Sequence, residues 1–218
     1  MKAKKGIFIT FEGPEGSGKT TQANLLIKYF KKKGREVIYT REPGGTKISE
    51  QIRNILLDKK NKEMDKYTEL LLYIASRRQL VAEKIEKELK SGKVIICDRF
   101  TDASLAYQGY GRGIDLNFII ELNNIATNNR KPDITFLMDI EIEEGLNKTK
   151  NIDKKHSKKG EMDRIEAESL KFHQKVRNGY RKIMKKEPER ICLIKVNKSI
   201  EEIHKKIVEL IEQKIKNI

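Results

Sequence analysis

One loop constrains the fold of this chain more than any other part of its sequence. It occupies residues 13–20 and fits the pattern G-x-x-x-x-G-K-[ST] without an insertion. It consists of Gly13, Pro14, Glu15, Gly16, Ser17, Gly18, Lys19 and Thr20. An apolar run at residues 7–11 precedes the loop, and apolar residues at helical spacing follow it from Ala23 to Phe30. A strand, a glycine-rich turn and a helix in this order predict the phosphate-binding unit of a P-loop protein.

Short β-type runs alternate with longer helical patterns along the rest of the chain. The further strand candidates are residues 37–39, 94–97, 134–140 and 191–196. The helical patterns cover residues 48–57, 65–89 and 200–211, and Ser199 with Glu202 forms a capping box before the last of them. This alternation favours a parallel sheet that is covered on both faces. The expected fold class is α/β, a P-loop NTPase with a five-stranded parallel sheet, helices on both faces and a short lid.

A polar segment interrupts the alternation before the last strand. Residues 147–160 hold six lysines, at positions 148, 150, 154, 155, 158 and 159. A solvated linker and a mobile lid both fit this composition, although a linker is unexpected inside a compact domain. The whole length, 218 residues, suits one domain.

The charge of the chain limits its expected partners. It has 47 Lys and Arg against 32 Asp and Glu, a formal net charge of +15, which favours anionic ligands. The lysines are spread along helices and Trp is absent, which argues against a dedicated nucleic-acid surface. The longest apolar run, residues 70–75, is too short to cross a membrane, and Cys97 and Cys192 are too few for a zinc site or a disulfide framework. We expect a cytoplasmic protein with no specific nucleic-acid or membrane partner.

The side chains around the loop predict phosphate chemistry. Lys19 is expected to reach the β- and γ-phosphates of a nucleoside triphosphate, and Thr20 to offer its hydroxyl to Mg²⁺. Asp98 ends the third apolar run, where P-loop proteins place an acidic partner of that cofactor. Arg99 follows at once, and its guanidinium suits a second phosphate. These features alone do not separate a kinase from a motor, a switch or a nucleic-acid ATPase.

Four separated segments resemble the motifs of one family. They are residues 11–16 (Phe-Glu-Gly-Pro-Glu-Gly), 40–46 (Thr-Arg-Glu-Pro-Gly-Gly-Thr), 98–109 (from Asp-Arg-Phe to Ser-Leu-Ala-Tyr-Gln-Gly) and 160–166 (Gly-Glu-Met-Asp-Arg-Ile-Glu). In this order they resemble the bacterial-type thymidylate kinases, which pass the γ-phosphate of ATP to dTMP. The resemblance covers nearly the whole chain. It implies a single P-loop kinase domain over residues 1–218, a lid at about 147–164, and a homodimer.

The resemblance also implies residue roles. Residues 13–20 hold ATP, and Thr20 with Asp98 binds Mg²⁺. Glu15 accepts a hydrogen bond from the 3′-hydroxyl of dTMP, and Arg53 and Arg99 grip its 5′-phosphate. Lys19 and Arg99 count as catalytic residues.

Four further residues are implied to read the thymine base. Tyr73 stacks on the ring, at a position where the family usually has Phe. Arg77, four residues later on the same helix face, donates to a base carbonyl. Ser104 and Gln108 read the edge of the base, and the amide of Gln can both donate and accept.

The lid departs from the family pattern. Members with a carboxylate and no arginine in the P-loop place catalytic arginines in the lid, whereas this chain has Lys155, Lys158 and Lys159 there. Lys159 is therefore the expected lid catalyst. Lys148 also stands where the family commonly has Arg. Lysine supplies charge without the planar fork of arginine, so a lower rate and a simple functional replacement both stay open. His156 is interpreted as a bystander.

Three alternatives compete with this interpretation. Another nucleoside monophosphate kinase would use a different base reader. A basic P-loop ATPase would be stimulated by nucleic acid and bind it in a salt-sensitive way. A GTP switch would need N-K-x-D, and the nearest match, residues 197–200, lacks the aspartate.

Overall fold

The computed structural model describes residues 5–148 and 163–215 of the chain. Its strands are β1 (Ile7–Glu12), β2 (Val37–Arg41), β3 (Val94–Asp98), β4 (Ile134–Asp139) and β5 (Ile191–Lys195). The strand predictions are confirmed, and their ends differ from the predicted ones by one or two residues.

Helices connect the strands. They are α1 (Lys19–Lys32), α2 (Lys47–Leu57), α3 (Lys66–Leu80, continued by Val81–Ile85 and Glu86–Lys90), α4 (Thr101–Ser104, continued by Leu105–Gly111), α5 (Leu116–Thr127), α6 (142–148), α7 (Leu170–Lys186) and α8 (Ile200–Ile215). The stretches Val81–Ile85 and Leu105–Gly111 are π-helical. The sequence patterns predict α1, α2, α3 and α8, and the capping box of α8 is confirmed by hydrogen bonds in both directions between Ser199 and Glu202. The segments α4 to α7 were not predicted.

The strands form one sheet in the order β2-β3-β1-β4-β5, and every pairing is parallel. Successive side chains of β1 point to opposite faces, as the pleat requires. Phe11 packs on one face in a cluster with Leu26 of α1 and Ile207 of α8. Phe8 packs on the other face in a cluster with Leu80 of α3. The prediction of helices on both faces is therefore confirmed.

Burial of these side chains holds β1 in the middle of the molecule. Phe11, Leu26, Leu80 and Ile207 are each 0% exposed, and Phe8 is 1% exposed. Fully burying an apolar side chain of this size contributes roughly 1.5–3 kcal/mol. Because β1 is fixed by both layers, the loop that leaves its carboxyl end is also held in place.

The order of the strands places the chemistry-bearing loops together. Strands β3 and β2 lie on one side of β1, and β4 and β5 lie on the other. The order of the strands therefore reverses its direction at β1. In open parallel sheets, ligands bind at such a point, outside the carboxyl ends of the strands. The loop at residues 13–18 and the pair Asp98–Arg99 both lie at this edge. Of the helices within residues 5–148 and 163–215, none is long and apolar enough to cross a bilayer.

Candidate active site

A cleft of about 910 Å³ opens at the carboxyl edge of the sheet. Of the residues to which the sequence assigns ligands, it brings together Glu15, Gly16, Ser17, Gly18, Lys19, Thr20, Arg53, Tyr73, Asp98, Arg99, Ser104 and Gln108. Gly13, Pro14 and Arg77 do not line the cleft, although all three lie within the described residues. Lys159 lies outside the described residues, together with Lys155, His156 and Lys158.

Two glycines let the phosphate loop pack directly against neighbouring backbone. Gly13 has a φ of 131°, and a Cβ there would lie 2.2 Å from the carbonyl oxygen of Met138. Gly16 has a φ of 67°, and a Cβ there would lie 2.0 Å from the carbonyl oxygen of Gly145 in α6. Only glycine combines positive φ with such close approaches at low cost. The glycine pattern of the motif therefore reflects contacts with β4 and α6 as well as space for phosphate.

Lys19 directs its charge into the curve of this loop. Its Nζ donates to the carbonyl oxygen of Pro14 at 2.8 Å and of Gly13 at 3.2 Å, and the residue is 7% exposed. Burial lowers the pKa of Lys19 and nearby Arg99 lowers it further, whereas the charge of Glu15 raises it. The ammonium group and the N-terminus of α1 together make the loop a site for anions.

Thr20 and Asp98 form a pair of oxygen ligands beside the loop. The Thr20 hydroxyl donates to Oδ2 of Asp98 at 3.1 Å, and both residues line the cleft. A hydroxyl and a carboxylate are the oxygen donors that Mg²⁺ prefers. Tyr39 adjoins them, and burial, with a contribution from the charge of Asp98, raises the pKa of Tyr39 to about 12. The residues therefore fit the ion that the sequence predicts.

Arg99 lies against the phosphate loop at the carboxyl edge of the sheet. Its backbone has a φ of 69°, a left-handed conformation that costs roughly 1–2 kcal/mol for a non-glycine residue. Its Nη1 donates to the carbonyl oxygen of Gly13 at 2.9 Å and to the hydroxyl of Tyr180 at 3.1 Å. Its Nη2 donates to the carboxylate of Glu15, which is also part of the phosphate loop. The strained turn after β3 therefore places the guanidinium of Arg99 against the phosphate loop.

The ionisation of Glu15 depends on this contact. Burial alone raises the pKa of a carboxyl group, but the charges of Arg99 and Lys19 outweigh it and lower the pKa of Glu15 to about 2. Tyr107 completes the surroundings. Its hydroxyl donates to Oε1 of Glu15 at 3.3 Å, and its ring centre lies 4.9 Å from the guanidinium of Arg99. Glu15 is thus an anionic acceptor that faces the cleft.

A second carboxyl group, with a raised pKa, lies beneath Arg99. Glu12 is 0% exposed at the end of β1, where Oε2 accepts from the Tyr180 hydroxyl and Oε1 accepts from the backbone of Phe100, each at 2.7 Å. Burial, with a contribution from the charge of Asp102, raises the pKa of Glu12 from 4.5 to about 8. Through Tyr180, Glu12 supports Arg99. The sequence analysis gave neither residue a role, although a carboxyl group at the end of a fully buried strand is an unusual feature.

The residues predicted to read a base lie on α3 and α4. Tyr73, Ser104 and Gln108 line one wall of the cleft. Arg77 lies behind this wall and is 1% exposed. It donates to Oγ of Ser104 at 2.9 Å, to Oε2 of Glu42 at 2.8 Å and to the backbone of Phe100 at 2.9 Å. Arg77 therefore orients Ser104 here, and its own contact with a base stays a prediction.

Arg53 and residues on either side of positions 149–162 complete the rim. Arg53 is half-buried, and its Nη1 donates to the carbonyl oxygen of Pro43 at 2.8 Å. Burial lowers the pKa of Arg53, and the charge of Arg41 lowers it further. Lys148, the last described residue before position 149, lines the cleft and pairs with Glu144 at 2.7 Å. Tyr39, Arg41, Tyr107 and Asp163 line the cleft as well, without a role in the sequence analysis.

Comparisons with known proteins agree with this geometry. A family model described as thymidylate kinase matches residues 11–207. The thymidylate kinase of Clostridium novyi is 49% identical over 203 residues, which cover 93% of this chain and 97% of that protein. The thymidylate kinase of Bacillus velezensis is 45% identical over 213 residues, 98% of each chain. A crystal structure of the thymidylate kinase from Ehrlichia chaffeensis has a TM-score of 0.76 and 37% identity, and covers 95% of this chain and 99% of that one.

The buried Glu12 predicts a specific pH dependence of stability. Between pH 4.5 and about 8, the folded chain keeps a proton on Glu12 that the unfolded chain releases. The free energy of unfolding should therefore fall as pH rises through this window, at most by about 1.4 kcal/mol per pH unit from this group. Glu12→Gln should flatten that slope in urea unfolding measured from pH 5 to 8.5. The exposed Glu189→Gln should keep the wild-type slope, and an unchanged slope in both variants would contradict the assignment.

Proposed function

The chain belongs to the thymidylate kinase family and phosphorylates dTMP to dTDP with ATP, and we propose how its residues divide this work. The whole chain, residues 1–218, acts as a single kinase domain. ATP and dTMP meet at the carboxyl edge of the sheet, with the phosphate loop on one side and α3 and α4 on the other. The observation that carries this assignment is that Lys19 and the Arg99–Glu15 pair line one cleft.

The donor side consists of residues 13–20. Their backbone N–H groups and the N-terminus of α1 surround the phosphates of ATP, and Lys19 exchanges the loop carbonyls for the β- and γ-phosphates. The buried position of Lys19 supports this role, because its charge is worth more where water is scarce. The transfer is in-line, so the residues act by positioning and by neutralising charge rather than through a covalent intermediate.

Thr20 and Asp98 hold Mg²⁺ in this proposal. The ion supplies positive charge to the phosphate oxygens of the donor when it is bound. The hydroxyl of Thr20 and the carboxylate of Asp98 lie 3.1 Å apart, so both can face one ion after a small change of rotamer. In the described ranges, no group of three or more His, Cys, Asp or Glu forms a metal cage, which suits an ion held partly by the nucleotide.

The acceptor side holds dTMP from both ends. Arg99, with Arg53, grips the 5′-phosphate, while Glu15 accepts from the 3′-hydroxyl. Tyr73 stacks on the base, and Ser104, oriented by Arg77 from behind, joins Gln108 at the base edge. The adjacency of Glu15 and Arg99 supports this arrangement, because one nucleoside monophosphate offers a donor hydroxyl and an anion at a short separation.

The lid contributes lysines in place of arginines. We assign Lys159 to the charge of the transferred group, on the strength of its sequence position alone. Lys148 lines the cleft at the start of the lid and has an exposed side chain, so its ammonium group can reach a phosphate. Lid closure excludes water and limits ATP hydrolysis. We place the reaction in the cytoplasm, where both nucleotide substrates occur.

We also propose that the protein is a homodimer. The neighbouring helices α2, α3 and α5 expose apolar side chains on one face of each: Ile48 and Ile55, Tyr67 and Leu71, and Phe118 and Ile125. The spacing of four or seven residues keeps each pair on one side of its helix. The rings of Tyr67 and Phe118 lie 6.3 Å apart, so the face continues from α3 to α5. A second copy related by a two-fold axis would cover this face with its own.

Substrate dependence tests the assignment of the acceptor side. ADP release should respond to dTMP and much less to dCMP, AMP, GMP or single-stranded DNA, with dTDP as product. Arg99→Lys should raise the dTMP KM by about tenfold or more and change the ATP KM little, because lysine lacks the planar fork. Arg130→Lys, an exposed change away from the cleft, is the control. Stimulation by DNA without a response to any monophosphate would refute the proposal.

Metal dependence tests the pair Thr20 and Asp98. Asp98→Asn should raise the Mg²⁺ concentration for half-maximal activity by roughly tenfold, since a neutral amide is a weaker ligand than a carboxylate. Asp133→Asn is the matched control, because Asp133 accepts from the backbone of Phe8 at the opposite edge of the sheet. Titration of Mg²⁺ at fixed ATP measures both. Equal Mg²⁺ requirements in the two variants would remove Asp98 from the metal site.

A single charge on the apolar face tests the dimer. Leu71 is 52% exposed, and Leu71→Glu should shift sedimentation velocity from dimer to monomer, because the buried charge would lack a partner. Leu170 is similarly exposed, at 54%, but belongs to α7. Leu170→Glu should therefore leave the dimer intact. A wild-type monomer at micromolar concentration would contradict the proposal before either variant is made.

A further inference from the structure

A buried carboxylate lies next to the base-reading wall of the cleft. Glu69 belongs to α3, one turn before Tyr73, and is 1% exposed. Arg112 donates to both of its oxygens, from Nε at 3.1 Å and from Nη2 at 3.0 Å. Arg164, the last residue of the expected lid, approaches Oε2 at 2.7 Å. The amide Nε2 of Gln108 donates to Oε1 at 2.9 Å. Glu69 thus joins two arginines to one of the residues that read the base.

Glu69 is ionised in this environment. Burial raises the pKa of its carboxyl group, but hydrogen bonds from Arg112 and Gln108, and the charges of Arg112 and Arg164, lower it below the ordinary value. An ionised carboxylate only accepts hydrogen bonds. Every polar group that forms a hydrogen bond with the Glu69 carboxylate must therefore act as the donor.

This requirement fixes which end of the Gln108 amide faces Glu69. The NH₂ group must point at Glu69, because the carbonyl oxygen of the amide would meet the carboxylate with repulsion. The oxygen Oε1 is then turned away from Glu69, and the residue lines the cleft. Among residues 5–148 and 163–215, no donor is hydrogen-bonded to that oxygen. One N–H of the Gln108 amide is thus committed to Glu69, and its oxygen is an acceptor that a ligand in the cleft can use.

We propose that Glu69 is a positioning residue that selects the base by fixing the amide of Gln108. The inference rests on the proposed function, in which Gln108 reads the edge of the base. Thymine carries a hydrogen on N3 and donates to an acceptor, whereas cytosine has a lone pair there and is repelled. Removing a hydrogen bond to a buried polar group discriminates strongly between substrates, because the unpaired group has lost its contact with water. Glu69 acts on specificity without touching the nucleotide.

Glu69→Gln tests the proposal. The new amide can turn its oxygen to an arginine and its NH₂ to Gln108, which then turns over and presents a donor to the cleft. The ratio of kcat/KM for dTMP to that for dCMP should fall by about tenfold or more, mainly through the dTMP KM. Glu168→Gln is the matched control, since Glu168 pairs with the same Arg112 at 2.6 Å without a hydrogen bond to Gln108. Its ratio should stay within about twofold of wild type.

A parallel loss of both activities in Glu69→Gln, with the ratio unchanged, would overturn the proposal and leave Glu69 with a structural role. Glu69→Asp covers the case in which the amide variant does not fold. It keeps the charge for the two arginines but withdraws the carboxylate from Gln108 by one carbon–carbon bond. It too should lower the dTMP preference, and an unchanged preference would count against the proposal.

The wild-type enzyme provides an independent measurement. The N3-methyl analogue of dTMP removes the N3–H donor and keeps both base carbonyls, and its kcat/KM should be at least about tenfold below that of dTMP. Equal values would show that no acceptor reads this position and would overturn the proposal. Absence of dTMP phosphorylation in the wild-type protein would instead refute the proposed function, so the two failures are distinguishable.

Discussion

Several arginines lie close together at the carboxyl edge of this sheet, where their like charges repel one another. Each of them is paired with a carboxylate, which offsets this repulsion. The contacts are Arg99 with Glu15, Arg77 with Glu42, and both Arg112 and Arg164 with Glu69. Such ion pairs add little net stability, but removing one partner of a buried pair costs roughly 3–5 kcal/mol. Each carboxylate therefore fixes the direction of its partner. The cleft keeps a defined arrangement of donors because its counter-charges belong to the fold itself.

Much of the fold could be predicted because its signals are local. The strand positions follow from apolar runs, and the phosphate loop from its glycines and from the strand and helix around it. The order β2-β3-β1-β4-β5 could not be read in the same way, because strand pairing depends on which helix covers which face. The π-helical stretch Leu105–Gly111 was missed because a widened helical turn leaves no distinct apolar period.

The residues of the candidate site also differ in whether a local sequence pattern reveals them. Motif residues such as Lys19 and Gln108 could be named from short patterns, and they do line the cleft. The residues that hold these side chains in place could not be named from short patterns. Tyr180 and Glu12, 168 positions apart, meet only in the folded chain, and Glu69 reaches Gln108 from another helix. From the sequence alone, a glutamate in a helix is interpreted as a surface charge. Only the folded structure shows that Arg112 and Arg164 pair with Glu69. Sequence patterns thus identify groups that touch ligands more readily than groups that orient them.

The contact between Arg99 and Glu15 also bears on competition from inorganic phosphate. Because Glu15 accepts from Nη2 of Arg99, an anion that takes this position must displace a carboxylate as well as water. Free phosphate that does so leaves Glu15 in a partly buried place without its arginine. In the proposed arrangement, the ribose hydroxyl of a nucleotide supplies the displaced carboxylate with a new donor. On this assignment, the carboxylate in the phosphate loop favours an acceptor that carries a sugar over free phosphate.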